Sequence, residues 1–72
     1  MSLADNATDR DEWQRKAEAT TDQINELRAE LEVALRSHPP LEIAWRIVAA
    51  DLHCAEARDQ LRIAMGKISQ IR

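Results

Sequence analysis

Two adjacent prolines, Pro39 and Pro40, divide the chain and constrain its fold more than any other feature. A proline disfavours the α conformation in the residue before it, so a helix in the first half must end by about Ser37. A proline also fits the first turn of a helix, where its missing N–H removes no hydrogen bond, so a second helix can begin at Pro39 or Pro40. Because Gly66 is the only glycine, little else interrupts either half. The sequence therefore predicts two long helices joined by a tight turn.

The boundaries of these helices follow from local signals. The first eight residues are small and polar without periodicity, which is typical of a disordered tail. A capping-box-like pair, either Asp9 with Glu12 or Thr8 with Asp11, marks a helix start near residue 9. A short link between long helices makes them antiparallel neighbours, so we predict an all-α fold, an antiparallel two-helix hairpin. The predicted parts are a tail at 1–8 and one helical domain at 9–71, with helix 1 at about 9–37, the turn at 38–40 and helix 2 at about 40–71.

Apolar residues in both helices repeat every 3.5 residues, the period of a left-handed coiled coil. Thr20 is the one polar member of the series. We expect Trp13 to lie over the end of helix 2, near Ile68. The predicted seam consists of Trp13, Ala17, Thr20, Ile24, Leu27, Leu31 and Ala34 in helix 1, and of Ile47, Ala50, Cys54, Ala57, Leu61, Ala64, Ile68 and Ile71 in helix 2.

The first half of helix 2 carries a second set of apolar residues outside this seam: Leu41, Trp45, Val48 and Leu52. On a helical projection they fall on the far side of the helix from the seam, and a helix that is apolar all round must be buried all round. Left uncovered, they would form an apolar patch of the kind that marks protein interfaces. We predict that these four residues bind a partner. The alternative is that they form the hairpin's own core and the predicted seam lies outside.

Chain length argues that something must cover the remaining face. Below roughly 70–80 residues a single core rarely supplies more than about 3–5 kcal/mol, and this chain has 72 residues. Its single cysteine cannot close an internal disulfide, and it has no Cys/His cluster for a structural zinc. We therefore expect the fold to be completed by oligomerisation, either with a second copy or with another protein.

No residue pattern indicates catalysis, a cofactor or a metal. His53 and Cys54 are adjacent, and adjacent residues on a helix point about 100° apart, so they do not converge on one ion. Cys54 falls in the alanine-rich seam, where a thiol packs like a small apolar group. His38 precedes the prolines and is expected in the linker or at the helix end. We predict a non-enzymatic protein with no cofactor and no metal.

Charge and hydropathy exclude two further classes. The net charge is -3 and basic residues do not cluster, which argues against binding nucleic acid. The longest apolar run, Ile47 to Ala50, is far shorter than the roughly 20 residues that span a bilayer. The first residues lack the features of a secretory signal, so we predict a cytoplasmic protein, with which a lone cysteine is consistent.

Acidic residues concentrate in helix 1. Residues 1–36 carry nine acids and five bases, whereas residues 37–72 carry four and five. Four of the acids are spaced four residues apart: Glu18, Asp22, Glu26 and Glu30. This acidic ridge is either a solvated face or a docking site for a basic surface, and the sequence leaves its role open.

The chain resembles a family of small bacterial proteins, the YscE-like co-chaperones of type III secretion. The resemblance covers roughly residues 12–71. It lies in a first helix with Ile24, Leu27, Leu31 and Leu35, a tight polar break, and a second helix that opens Leu41-Glu42-Ile43-Ala44-Trp45. Members are helical hairpins that bind a tetratricopeptide-type chaperone and, with it, keep the needle subunit from polymerising in the cytosol. The resemblance implies a co-chaperone or adaptor whose helix 2 contacts the chaperone. The residues alone also allow a homodimeric four-helix bundle with a structural or regulatory role.

Overall fold

The computed structural model describes residues 3–71, with side chains from Asp9 onward. Its two helices are α1 (Leu3–Arg36) and α2 (Leu41–Ile68). They pack against each other along their lengths, and Arg10 near the start of α1 donates a hydrogen bond to the carbonyl of Ile71 just past the end of α2. The two helices are therefore antiparallel. This confirms the predicted all-α hairpin, and no strand occurs in the described range.

The helix ends differ from the predicted ones by a few residues. α1 includes residues 3–8, which the sequence placed in the tail; they contain no Gly or Pro, so helical hydrogen bonding can continue through them. The rest of the predicted tail, Met1 and Ser2, lies outside the described residues. α2 ends at Ile68, where Ser69 donates from its hydroxyl to the Gly66 carbonyl at 2.8 Å and closes the last turn.

The turn is built around His38 and the two prolines. His38 has φ 55°, the left-handed conformation that commonly terminates a helix, and its N–H donates to the Leu35 carbonyl at 3.2 Å. Pro40 immediately precedes α2, and its carbonyl accepts hydrogen bonds from Ile43 and Ala44 at 2.9 and 2.8 Å. The prolines thus end one helix and begin the next.

The interface between the helices alternates apolar and polar layers. Its residues are spaced three and four apart in both helices, and all are at least partly buried. Among the described side chains, only Ala17 and Ile24 are less than a tenth exposed, at 8% and 9%, and α2 contains no buried residue. The helix interface consists of Gln14, Ala17, Thr21, Ile24, Arg28, Leu31 and Leu35 in α1, and of Ala44, Ile47, Asp51, Cys54, Arg58, Leu61, Met65 and Ile68 in α2.

The predicted seam is half correct. The helix interface contains every second member of the predicted seam: Ala17, Ile24 and Leu31 in α1, and Ile47, Cys54, Leu61 and Ile68 in α2. The other members of the seam lie outside it. Six of them are exposed: Trp13, Thr20, Leu27, Ala50, Ala57 and Ile71. Ala34 and Ala64 are partly buried. Each helix presents polar positions to the other, and Arg28 forms an ion pair with Asp51 across the interface.

The expected position of Trp13 near Ile68 stays a prediction. Trp13 is about half exposed, and Arg10, Asp11 and Gln14 line the open cavity beside Ile68.

Candidate docking surface

The four predicted partner-binding residues form one continuous stripe along α2. We call Leu41, Trp45, Val48 and Leu52 the Trp45 face; their side chains are 46% to 82% exposed. The alternative in which they form the hairpin's own core is therefore wrong. Trp45, Val48 and Leu52 each directly follow an interface residue, so the stripe flanks the interface on one side instead of lying opposite to it. α1 consequently borders the stripe along one edge.

Arg46 lies directly on the central aromatic residue of this surface. Its guanidinium carbon is 3.9 Å from the centre of the Trp45 ring. A cation over an exposed indole contributes roughly 0.5–1 kcal/mol. Any molecule that contacts the indole would therefore have to approach the other side of the ring or displace Arg46.

A polar groove lies beside the Trp45 face, between the helices. It is an open cavity of about 350 Å³ lined by Asn25, Arg28, Ala29, Glu32, Leu35 and Asp51. Asp51 directly precedes Leu52, so the groove and the apolar stripe adjoin. The candidate docking surface has an apolar half on α2 and a polar half on α1.

The Arg28–Asp51 ion pair forms the floor of this groove. Arg28 donates from Nε to one Asp51 oxygen at 2.8 Å and from a terminal nitrogen to the other at 3.2 Å, the two-pronged geometry that fits a guanidinium to a carboxylate. The Arg28 hydrogen bond holds the pKa of Asp51 below its ordinary value, and the same contact raises the pKa of Arg28. Arg28 belongs to α1 and Asp51 belongs to α2. The ion pair therefore links α1 to the helix that carries the Trp45 face.

Reactive side chains are not assembled at this surface. In the described part of the chain, no three His, Cys, Asp or Glu residues are grouped so that they could hold a metal ion. His53 is exposed, with its Nδ1 3.7 Å from a Glu56 oxygen, whereas Cys54 lies in the helix interface. The arrangement of this surface suits binding by shape and apolar contact.

The acidic ridge of α1 is exposed throughout. Glu18 accepts a hydrogen bond from Gln14, and within residues 9–71 none of the four ridge carboxylates takes part in an ion pair. The ridge runs around the outer side of α1 and does not join the Trp45 face.

Comparison with known proteins leaves the chain without an assigned family. No family model matches it, and searches of curated proteins and of solved structures find no significant match. The resemblance to the YscE-like co-chaperones therefore stays a prediction. Within residues 3–71, neither helix is long and apolar enough to cross a bilayer.

Sequence reasoning missed the ion pair between Arg28 and Asp51, although a signal for it exists. The two residues lie equally far along the chain from the Pro39–Pro40 bond, one on each side. In an antiparallel hairpin, residues equidistant from the turn lie at the same level. Opposite charges at matching distances could therefore have indicated the pair.

Proposed function

We propose that this chain is a non-enzymatic interaction module, a small co-chaperone or adaptor that docks on a partner chaperone through the Trp45 face. The observation that carries the proposal is the exposure of four large apolar side chains in one stripe that the hairpin itself does not cover. Together with the family resemblance, it supports a role in holding a type III secretion needle subunit soluble in the cytosol.

The energy available from the stripe constrains the shape of the partner. Full burial of such side chains stabilises by about 1.5–3 kcal/mol each, so burying the exposed half of each of the four contributes about 4 kcal/mol in total. Micromolar binding requires about 8 kcal/mol, and association itself costs about 4 kcal/mol or more. The partner must therefore contact more of the chain than the Trp45 face. A concave partner that wraps around α2 meets this requirement, and stacked helical repeats form such concave surfaces.

Docking on such a partner would act through mass action. A partner that binds only the folded hairpin stabilises the hairpin, and the gain grows with the logarithm of the partner concentration divided by Kd. By the same linkage, the hairpin stabilises the partner. No chemical step is needed. Acting on a needle subunit before its export also requires that the protein work in the cytoplasm.

Paired substitutions on α2 test the proposal. Leu52→Gln together with Trp45→Ser changes two residues of the Trp45 face, and Ile63→Gln is the matched control because Ile63 is about equally exposed on the same helix outside that face. All three side chains are exposed, so circular dichroism should show an unchanged helical signal. Affinity purification from the native host, with mass spectrometry, should recover a helical-repeat chaperone with the wild type and with the control only.

Fluorescence then locates the contact. In a Trp13→Phe background Trp45 is the only tryptophan, and its emission should shift to shorter wavelength when the purified chaperone is added. Equal capture by the double variant and the control would show that the partner binds elsewhere. An unshifted emission spectrum on binding would lead to the same conclusion.

A further inference from the structure

A second apolar surface lies on the side of α2 opposite the Trp45 face. Trp13, Leu27 and Ile43 are each about half exposed on it. The residues of this second surface each directly precede an interface residue, so they flank the interface on one side. The residues of the Trp45 face flank the interface on the other side. We call this surface the Leu27 face; it consists of Trp13, Thr20, Leu27 and Ala34 in α1 and of Ile43, Ala50, Ala57 and Ala64 in α2.

Both helices contribute to one side of the hairpin at these positions. An antiparallel pair has an approximate two-fold axis perpendicular to the plane of its helices, and this axis maps each side of the hairpin onto itself. Residues that precede the interface positions therefore lie on the same side in α1 and α2. The Leu27 face is a surface of the whole hairpin, about as long as the helix interface itself.

We propose that a second copy of the chain covers the Leu27 face, producing a four-helix bundle that leaves the Trp45 face open. The exposed area supports this occupant. The chain exposes 5727 Å², whereas a compact monomer of 8.2 kDa is expected to expose about 4,500 Å². The excess of about 1,200 Å² belongs to the elongated chain as a whole, and a standard interface would bury roughly 800 Å² of it per copy.

The levels of the residues make the face self-complementary. In the Arg28–Asp51 contact the two residue numbers add to 79, and in the Arg10–Ile71 contact they add to 81. Residue n of α1 therefore lies level with about residue 80 minus n of α2. Leu27 is thus level with the space between Ala50 and Ala57. If α1 of one copy packs over α2 of the other with both turns at the same end, each Leu27 enters the space between the partner's two alanines.

Charge favours the same arrangement. Residues 1–36 carry nine acids and five bases, whereas residues 37–72 carry four and five. Packing α1 on α1 would bring two acidic helices together, and like charges across an interface oppose association. Packing α1 on the other copy's α2 avoids this and makes every neighbouring pair of helices antiparallel, as in the simplest four-helix bundles.

Sedimentation equilibrium of the purified full chain tests the proposal, from about 1 to 100 µM, with Ala57→Glu as the disrupting variant. Ala19→Glu is the control because it adds the same charge at an exposed α1 position outside the Leu27 face. The wild type and the control should sediment at twice the 8.2 kDa chain mass. Ala57→Glu should associate at least about tenfold more weakly, because it places an unpaired carboxylate against Leu27.

A mixing experiment tests the packing of α1 on α2 and does not depend on how either variant folds alone. Leu27→Lys should also prevent self-association. A mixture of Leu27→Lys with Ala57→Glu should restore the dimer, because the mixed pair keeps one Leu27–Ala57 contact and converts the other into a lysine–glutamate pair. A monomeric wild type at 100 µM, or a mixture that stays monomeric, would overturn the proposal.

The proposed chaperone docking and this self-association can fail independently. Leu52→Gln with Trp45→Ser alters only the Trp45 face and should leave the dimer mass unchanged. If that variant is monomeric while Ala57→Glu remains dimeric, the second copy occupies the Trp45 face and the present assignment is wrong.

Discussion

Replacing Ile24 with alanine should remove about half of the stability of the hairpin. Ile24 is one of the two most buried side chains among those described, at 9% exposed, and it lies in the second half of α1. Truncation of a buried Ile to Ala costs about 2–5 kcal/mol, more where the surroundings cannot close around the cavity. The neighbouring interface side chains are half-buried and can shift, so we expect a loss near the lower value, about 2 kcal/mol. A chain of this size has only about 3–5 kcal/mol to lose.

Urea unfolding followed by circular dichroism at 222 nm measures this loss. For small proteins the free energy of unfolding falls by about 1 kcal/mol per molar urea, so the midpoint should drop by about 2 M. Chain concentration must be the same for every variant, because self-association would shift the midpoint. Val33→Ala is the matched control: Val33 is 60% exposed on the outer side of α1, and its truncation should cost less than about 0.5 kcal/mol. Equal shifts for the two variants would refute the observed helix interface.

Three further substitutions test local features. Gly66→Ala should raise stability by about 1 kcal/mol, seen as a higher urea midpoint, because Gly66 lies inside α2 and an added Cβ would meet no atom within 4 Å. His38→Gly should raise the midpoint slightly while His38→Ala does not, because the left-handed conformation at φ 55° strains every residue with a Cβ. The Arg28 hydrogen bond lowers the pKa of Asp51 from its ordinary 3.8. The Arg28–Asp51 ion pair therefore stabilises the fold fully above about pH 4. This stabilisation is lost as the pH falls through the lower pKa that Asp51 has in the folded state. The wild-type melting temperature should therefore fall on acidification below about pH 4, and that of Asp51→Asn should fall less.

The positions of the helices could be predicted from sequence because their signals are local. Pro39 and Pro40 restrict the backbone of their own neighbours, and this restriction does not depend on the rest of the fold. The rotation of the helices could not be predicted in the same way. Ala50 and Asp51 are adjacent, and periodicity within α2 favours Ala50 as the interface residue. Asp51 lies inward, where it pairs with Arg28 of the facing helix, and the periodicity of α2 alone carries no information about that residue.

The candidate docking surface was likewise predictable only in part. The sequence identified the four residues of the Trp45 face because an apolar stripe is a property of one helix. It placed them opposite the interface, whereas they flank it, because their relation to α1 depends on the rotation. The groove beside them, with Asn25 and Glu32 on its α1 wall, could not be predicted for the same reason.

The polar half of the helix interface explains why so much apolar surface remains outside. The ion pair occupies central interface positions that leucine or alanine would fill in a self-sufficient hairpin. Gln14 Oε1 and Arg58 Nε, among the described side chains, are buried there without a hydrogen-bond partner, which costs free energy. Arg28 and Asp51 lie inward and their apolar neighbours lie outside the interface, so Leu27 is on one flank and Leu52 on the other. Covering both flanks, as proposed, would bury this apolar surface and add to the stability of the hairpin. Substitutions that expose or charge either flank should therefore impair assembly far more than they impair the isolated helices.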